Sequence, residues 1–327
     1  MRKTHSSQVH TIPRDSTTAR NVIQWLLDGD PSIRWQVMRD LLGMDEIAVE
    51  EERRKVESVG WGARLLSHQD TTGRWGGQLY SGKWVSTTYT LLLLRQMGLE
   101  PSNLQAQRGC HELLEGGFRS QGGISFARTV DVIDNGVTGM VLSLLAYFGY
   151  PDERLDVMAE YLINQQLSDG RWEPVPDNQQ IRYAFDTTIL ILEGLHEYER
   201  KQPHCTSQVI EAQRKGREFL LKHKIFKSIP EDVELDKQIT QFSFPPRWHY
   251  DVLVALDYFQ ACQAEKDERL REAITLLIEK HNPDATWDLQ NRHAGKTFFE
   301  MEQAGKPSRW NTLRALRVLK WWNGILA

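Results

Sequence analysis

One pattern, repeated along the chain, sets the strongest limit on how it can fold. In RWHYDVLVALDYFQAC, Arg247 to Cys262, the residues Trp248, Asp251, Val252, Ala255, Leu256 and Phe259 recur at three- and four-residue intervals. That is the period of a helix with one strongly apolar face. Related runs start at Lys83-Trp84, Arg182-Tyr183 and Arg309-Trp310, with weaker ones at Arg34-Trp35 and Asp134. A chain with six such helices must bury six apolar faces, and the repetition predicts a helical-repeat architecture.

Between these runs lies a second pattern. Gln69, Gly73 and Trp75 read Q-x3-G-x-W, and Gln166, Gly170 and Trp172 keep the same spacing. Degraded versions occur at Gln121-Gly122-Gly123 with Phe126 and at Asn282 with Trp287. The spacing predicts a helix ended by a glycine turn whose tryptophan folds back, with the glutamine bonding to nearby backbone. The expected repeat is therefore outer helix, turn, loop and inner helix, about 45 to 60 residues long. The fourth repeat lacks the turn and shows only KGREFLLKHKIF.

Composition adds exclusions. A net charge of -4 over 327 residues, 26% of them charged, gives no reason to expect a nucleic-acid partner. Cys110, Cys205 and Cys262 are scattered without CxxC spacing, which points to a reduced, cytoplasmic setting with neither a disulfide framework nor a cysteine-rich zinc site. No apolar run has the length of a membrane span, although peripheral membrane contact stays open. Residues 1–17 read as a flexible tail and 18–327 as one domain; oligomeric state is not legible.

The glutamine–tryptophan turns and the inner helices resemble the terpenoid cyclase and protein prenyltransferase superfamily, specifically its squalene cyclase-like repeat proteins, from about residue 20 onward. The resemblance implies an all-α fold, an (α/α)6 toroid of six helical hairpins around a central cavity. It also implies a hydrophobic, isoprenoid-like small molecule as partner, handled by acid or carbocation chemistry in a cyclase- or prenyltransferase-like reaction. Departures accompany the likeness. The nearest approach to the cyclases' Asp-x-Asp-Asp motif is Asp131-Val-Ile-Asp134, with different spacing. At the prenyltransferases' zinc ligands, Asp134 matches the first, Gly136 stands where a thiolate belongs, and Asp186 falls near the histidine's place. Without thiolate and imidazole the zinc preference goes, so no metal and no cofactor is expected.

Connections into the inner helices are long and those leaving them mostly short, so the long loops gather on one rim with the inner-helix N-termini. The candidate catalytic residues there are Asp186, Asp251, Asp134 and His249; Asp186 ranks first because Tyr183, Phe185 and the following apolar run give it the least polar surroundings. Trp84, Tyr183, Trp248 and Trp310 are candidate substrate-binding aromatics, able to stabilise a carbocation through their faces. Arg247 and Arg309, with Arg34, Arg182 and Lys83, form a possible ring of cations for a diphosphate or carboxylate. Each has a structural reading as well: an N-cap for the aspartates, core packing for the aromatics, and pairing with an acid or carbonyl for the bases, with Glu300 and Glu302 as partners for Arg309. A non-catalytic toroid that binds an apolar or peptide ligand is the alternative. A carbohydrate-active (α/α)6 enzyme with two flanking carboxylates is a weaker one.

Overall fold

A computed structural model describes residues 16–127, 132–173, 181–201 and 206–324. The segment expected as a tail lies outside these residues up to position 15, as do Asp131 and Cys205; helix already begins at Ser16, inside that segment. The regular secondary structure of the described chain is almost entirely helical, and its helices fall into pairs. Helix α1 (Ser16–Leu27) precedes α2 (Pro31–Gln36), which continues as a π-helical turn at Val37–Leu41. After α3 (Glu46–Arg54), α4 (Gly60–Leu66) pairs with α5 (Thr87–Met97), and α6 (Leu104–Gly117) with α7 (Asn135–Tyr147). Then come α8 (Arg154–Asn164) with α9 (Arg182–Lys201), α10 (Ser207–Lys222) with α11 (Val252–Ala261), and α12 (Arg271–Glu279) with α13 (Arg309–Asn323). The strand content among the described residues is one two-residue ladder, β1 (Trp287–Asp288) against β2 (Pro307–Ser308), antiparallel with Trp287 opposite Ser308.

Burial separates the two members of each pair. In α7 every residue from Gly136 to Ala146 is buried, as expected of a helix apolar all round. In α8 only Leu155, Met158, Ala159 and Leu162 are buried, a single stripe. The even-numbered outer helices α4 to α12 thus cover α5, α7, α9, α11 and α13.

Neighbouring inner helices touch in sequence. Trp35 at the end of α2 donates its indole N–H to the Met97 carbonyl of α5 at 2.8 Å. Helices α7 and α9 cross closely because Gly139 and Gly194 face each other: a Cβ on Gly194 would lie 2.5 Å from the Gly139 carbonyl oxygen. His196 of α9 meets the Tyr258 ring of α11 edge-on, and Arg314 of α13 pairs with Asp257 of α11 at 3.2 Å. The last helix also contacts the first pair: Arg317 donates to Gln36 at 3.0 Å and Lys320 to the Asp40 carbonyl at 2.8 Å.

The glutamine–tryptophan turns join successive outer helices. Trp75, Trp172 and Trp287 are fully buried, and each donates its indole N–H to the carbonyl ten residues upstream, Leu65, Leu162 and Leu277, at 2.6 to 2.8 Å. Gln69 bonds the Gly73 carbonyl and, across the repeat boundary, Gln105 of α6; Gln166 bonds Gly170 and Ala212 of α10. Gly216 leaves room for the Trp172 ring, which a Cβ there would meet at 2.8 Å. A further link is visible only in the structure: the backbone N–H of Trp75, Ile124 and Trp287 donates to the hydroxyl of Thr87, Thr138 and Thr312 on the following inner helix.

The repeat without a turn uses another device. Helix α10 ends through Lys224 and Ile225 in the left-handed region, and the Tyr250 hydroxyl donates to the Ile225 carbonyl at 2.6 Å.

Replacing Trp172 by alanine removes a fully buried indole and its bond, and should cost about 3–5 kcal/mol in chemical denaturation, whereas Trp172→Phe, which loses chiefly the bond, should cost about 1–3 kcal/mol. A loss below about 1 kcal/mol for the alanine variant would contradict the stapling role.

Candidate functional site

Asp186 lies early in α9, held by packing on one side and a hydrogen bond on the other. Phe185 packs against Phe219, His223 and Tyr250, fixing this part of the helix. Asp186 Oδ1 accepts the Tyr250 backbone N–H at 2.7 Å, and the residue is 5% exposed. Burial is the largest influence on its carboxyl and pushes it up to about 7; the Tyr250 N–H and Arg182 oppose this and Asp236 adds to it. Such an acid holds its proton near neutral pH. It lines a cavity of about 470 Å³ together with Arg182, Tyr183, Lys237, Trp248 and His249, a size in the range usual for small-molecule sites. Arg182 is ion-paired with Asp236 at its rim.

Trp248 and His249 contribute part of the cavity wall, while Arg247 beside them does not line it. His249 is stacked between Trp248, centroids 3.7 Å apart, and His293 at 3.9 Å. Burial, then Arg182 and Lys83, hold His249 down at about 4; burial, then His249 and two arginines, hold His293 at about 3. Both rings are therefore neutral at physiological pH, and His249 has no proton to give as an acid. Trp84 is buried, its indole N–H donating to the Ala294 carbonyl at 2.9 Å. The Arg247 guanidinium lies 5.1 Å above its ring, and burial pulls that group down to about 10. Trp84 and Arg247 both adopt positive φ, +58° and +64°, a conformation that costs a side-chain-bearing residue energy and clusters at functional sites.

The other sequence-predicted residues go elsewhere. Asp251 caps α11: Oδ1 accepts the Val254 N–H, and Oδ2 accepts both the Ser243 N–H and its hydroxyl. Asp134 caps α7 through Val137 N–H at 2.9 Å and is exposed. It borders a separate cavity of about 760 Å³ with Tyr80, Phe126 and Glu173, whose carboxyl is raised by burial and then by Asp134. Tyr183, 57% exposed, stands on the wall of both cavities. Trp310 is buried, stacked on Phe244 at 4.1 Å.

The ring of bases separates in the same way. Arg34 pairs with Glu52 at 2.5 Å and bonds the Gly29 carbonyl, and Arg309 lies over Trp25 and bonds its carbonyl. Glu302 accepts the Arg309 backbone N–H, while Glu300 pairs with Arg292. Arg247 and Lys83 make no ion pair among the described residues; both lie over Trp84.

Sequence reasoning missed Tyr250, whose N–H positions Asp186, as well as Asp236, Lys237 and His293. Only the aromatic after His249 offered any signal. No group of three or more His, Cys, Asp or Glu side chains able to hold a metal occurs among the described residues. The positions that match prenyltransferase zinc ligands do not fit zinc: Asp134 and Asp186 line different cavities, and Gly136 supplies no thiolate. No described helix is long and apolar enough to cross a membrane.

No family model and no curated protein matches the chain. Among solved structures it is similar to a protein from Actinoplanes, 15% identical, covering 94% of this chain and 99% of that one with a TM-score of 0.48. It is also similar to a substituted type II terpene cyclase, MstE from Scytonema, in complex with geranylgeranyl dihydroxybenzoate: 16% identical, 94% and 95% coverage, TM-score 0.45. At those values neither likeness assigns a substrate to this chain.

Because the folded-state pKa of Asp186 is raised, its contribution is fully present below the unfolded value near pH 4 and is lost as pH rises through about 7. Asp186→Asn keeps an acceptor for Tyr250 and cannot ionise, so its stability relative to the parent should improve by on the order of 3–4 kcal/mol between pH 4 and pH 7. Denaturant midpoints of the two proteins that shift in parallel across this window would contradict the raised pKa.

Proposed function

We propose that the chain forms one (α/α)6 toroid of the terpenoid cyclase and prenyltransferase kind, beginning with α1 at Ser16 and not at residue 18, and that Asp186 is its general acid toward an isoprenoid. The sequential contacts of the inner helices, with α13 meeting α2 through Arg317 and Lys320, support ring closure. The observation that carries the chemistry is a carboxylic acid raised to about 7 on the wall of a cavity shared with Tyr183, Trp248 and His249. In the proposed step the Asp186 proton passes to one alkene carbon, leaving a carboxylate and a carbocation. The faces of Trp248 and Tyr183 stabilise that cation, and its later loss of a proton restores the acid. Neutral His249 also lines this cavity, but the proton returns to the Asp186 carboxylate. Arg247 and Lys83, stacked on Trp84, are the bases left for an anionic head. The substrate belongs over Asp186 at the rim and not on the axis, whose walls are ionic. No cofactor is invoked, and the setting is cytoplasmic.

A second reading is a binding protein without turnover. Its support is the Asp186–Tyr250 bond, which also stitches α9 to the loop before α11. The carbohydrate reading loses ground because Asp134 and Asp186 line separate cavities instead of flanking one bond.

The test is a panel of linear isoprenoid alcohols, acids and diphosphates assayed with the parent and with Asp186→Asn. Turnover of at least one compound is expected, falling by a factor of about 10² or more in the variant and declining in the parent as pH rises above about 7. Unchanged turnover in Asp186→Asn would exclude the assignment, and saturable binding without turnover would establish the second reading.

A further inference from the structure

The cavity of about 760 Å³ beside Asp134 takes no part in the chemistry assigned to Asp186, which lines the other cavity. Its volume is in the range usual for small-molecule sites. Three rings form part of its wall: Tyr80, stacked on Phe126 with centroids 5.9 Å apart, and Tyr183. Its charge comes from the carboxyl groups of Asp134 and Glu173. Among the described residues its lining holds no lysine, arginine or histidine.

Neither acid is neutralised from elsewhere. Asp134 Oδ1 accepts the Val137 N–H at 2.9 Å, and neither carboxyl forms an ion pair among the described residues. Two observations bring the acids to the same part of the wall. Asn135, next to Asp134, donates to the carbonyl of Trp172, next to Glu173, at 3.5 Å. Burial and then Asp134 raise the Glu173 carboxyl, the second effect being the repulsion between two like charges close together. A cation beside them would relieve that repulsion. Ser125, also in the lining and only 2% exposed, points the same way: its hydroxyl has no hydrogen-bond partner among the described residues. A buried hydroxyl without a partner is uncommon and costs energy until one is supplied.

We infer that this cavity is a binding site for an organic ammonium ion, one cationic nitrogen that keeps N–H donors and is carried on an aromatic or aliphatic body. Asp134 and Glu173 take the charge and Ser125 accepts an N–H, while the faces of Tyr80, Phe126 and Tyr183 hold the body and attract the cation. A neutral guest would leave both acids uncompensated, and an anion would add to their repulsion. A quaternary ammonium, which has no N–H, would leave Ser125 without a donor. The site stands or falls independently of the acid chemistry at Asp186.

Titration calorimetry on the full chain at constant ionic strength tests it with benzylammonium, benzyl alcohol and phenylacetate, which share a ring and differ in the charge of the head. Saturable binding is expected for benzylammonium, binding weaker by about tenfold or more for benzyl alcohol, and none for phenylacetate. Glu173→Gln and Asp134→Asn, the second of which keeps an N-cap for α7, should each weaken benzylammonium binding by about fivefold or more. No saturable heat with benzylammonium would overturn the inference. So would benzyl alcohol or phenylacetate binding as tightly, which would make the rings alone the site, or full affinity in both variants, which would put the cation elsewhere. If Glu173→Gln does not fold, Asp134→Asn and the choice of the parent protein among the three heads decide.

Discussion

Tyr250 is the residue on which the candidate site depends. Its backbone N–H holds Asp186 Oδ1, its hydroxyl closes the end of α10 on the Ile225 carbonyl, and its ring packs on Phe185. One fully buried side chain therefore ties three elements together where the glutamine–tryptophan turn is missing. A buried aspartate without such a donor would have no fixed orientation. With a single N–H it stays protonated near neutrality, because one hydrogen bond offsets only part of the cost of burying a charge. Burial raises the Asp251 carboxyl as well, but three donors hold its two oxygens, where it caps α11.

Much of the fold was legible because it rests on period and repetition. The apolar runs beginning at Lys83, Arg182, Arg247 and Arg309 become buried helices, as does the weaker run at Asp134, and Trp75 and Trp172 fold back as their glycine turns predict. The degraded turn at Trp287 keeps the same indole bond, since that bond needs the ring and not the glutamine. Less legible was how the inner helices meet. The contact of Gly139 with Gly194 joins residues far apart in sequence, and neither glycine stands out where it occurs.

The candidate site was legible in parts. Local composition singled out Asp186 as the aspartate in the least polar run; desolvation is the largest influence on its carboxyl, as it is on that of Asp251, which is more deeply buried. The arginines could not be sorted from sequence. The repeated base-aromatic pairs look alike, yet Arg34 and Arg309 meet partners from other parts of the chain while Arg247 meets only rings among the described residues. His293 was invisible for the same reason, because its role comes from stacking on His249 across a long loop. Substrate-side chemistry depends on such long-range meetings, which a one-dimensional pattern does not encode.

The account rests on a protonated Asp186 at neutral pH, and the ionisation of that one carboxyl can be read directly. Carbon-13 NMR of aspartate-labelled protein, with Asp186 assigned by its absence from Asp186→Asn, should show its side-chain resonance titrating near pH 7, well above an exposed aspartate's value near 4. A midpoint at or below about 4 would mean that Asp186 is charged and structural, and would remove the acid on which the proposed chemistry depends.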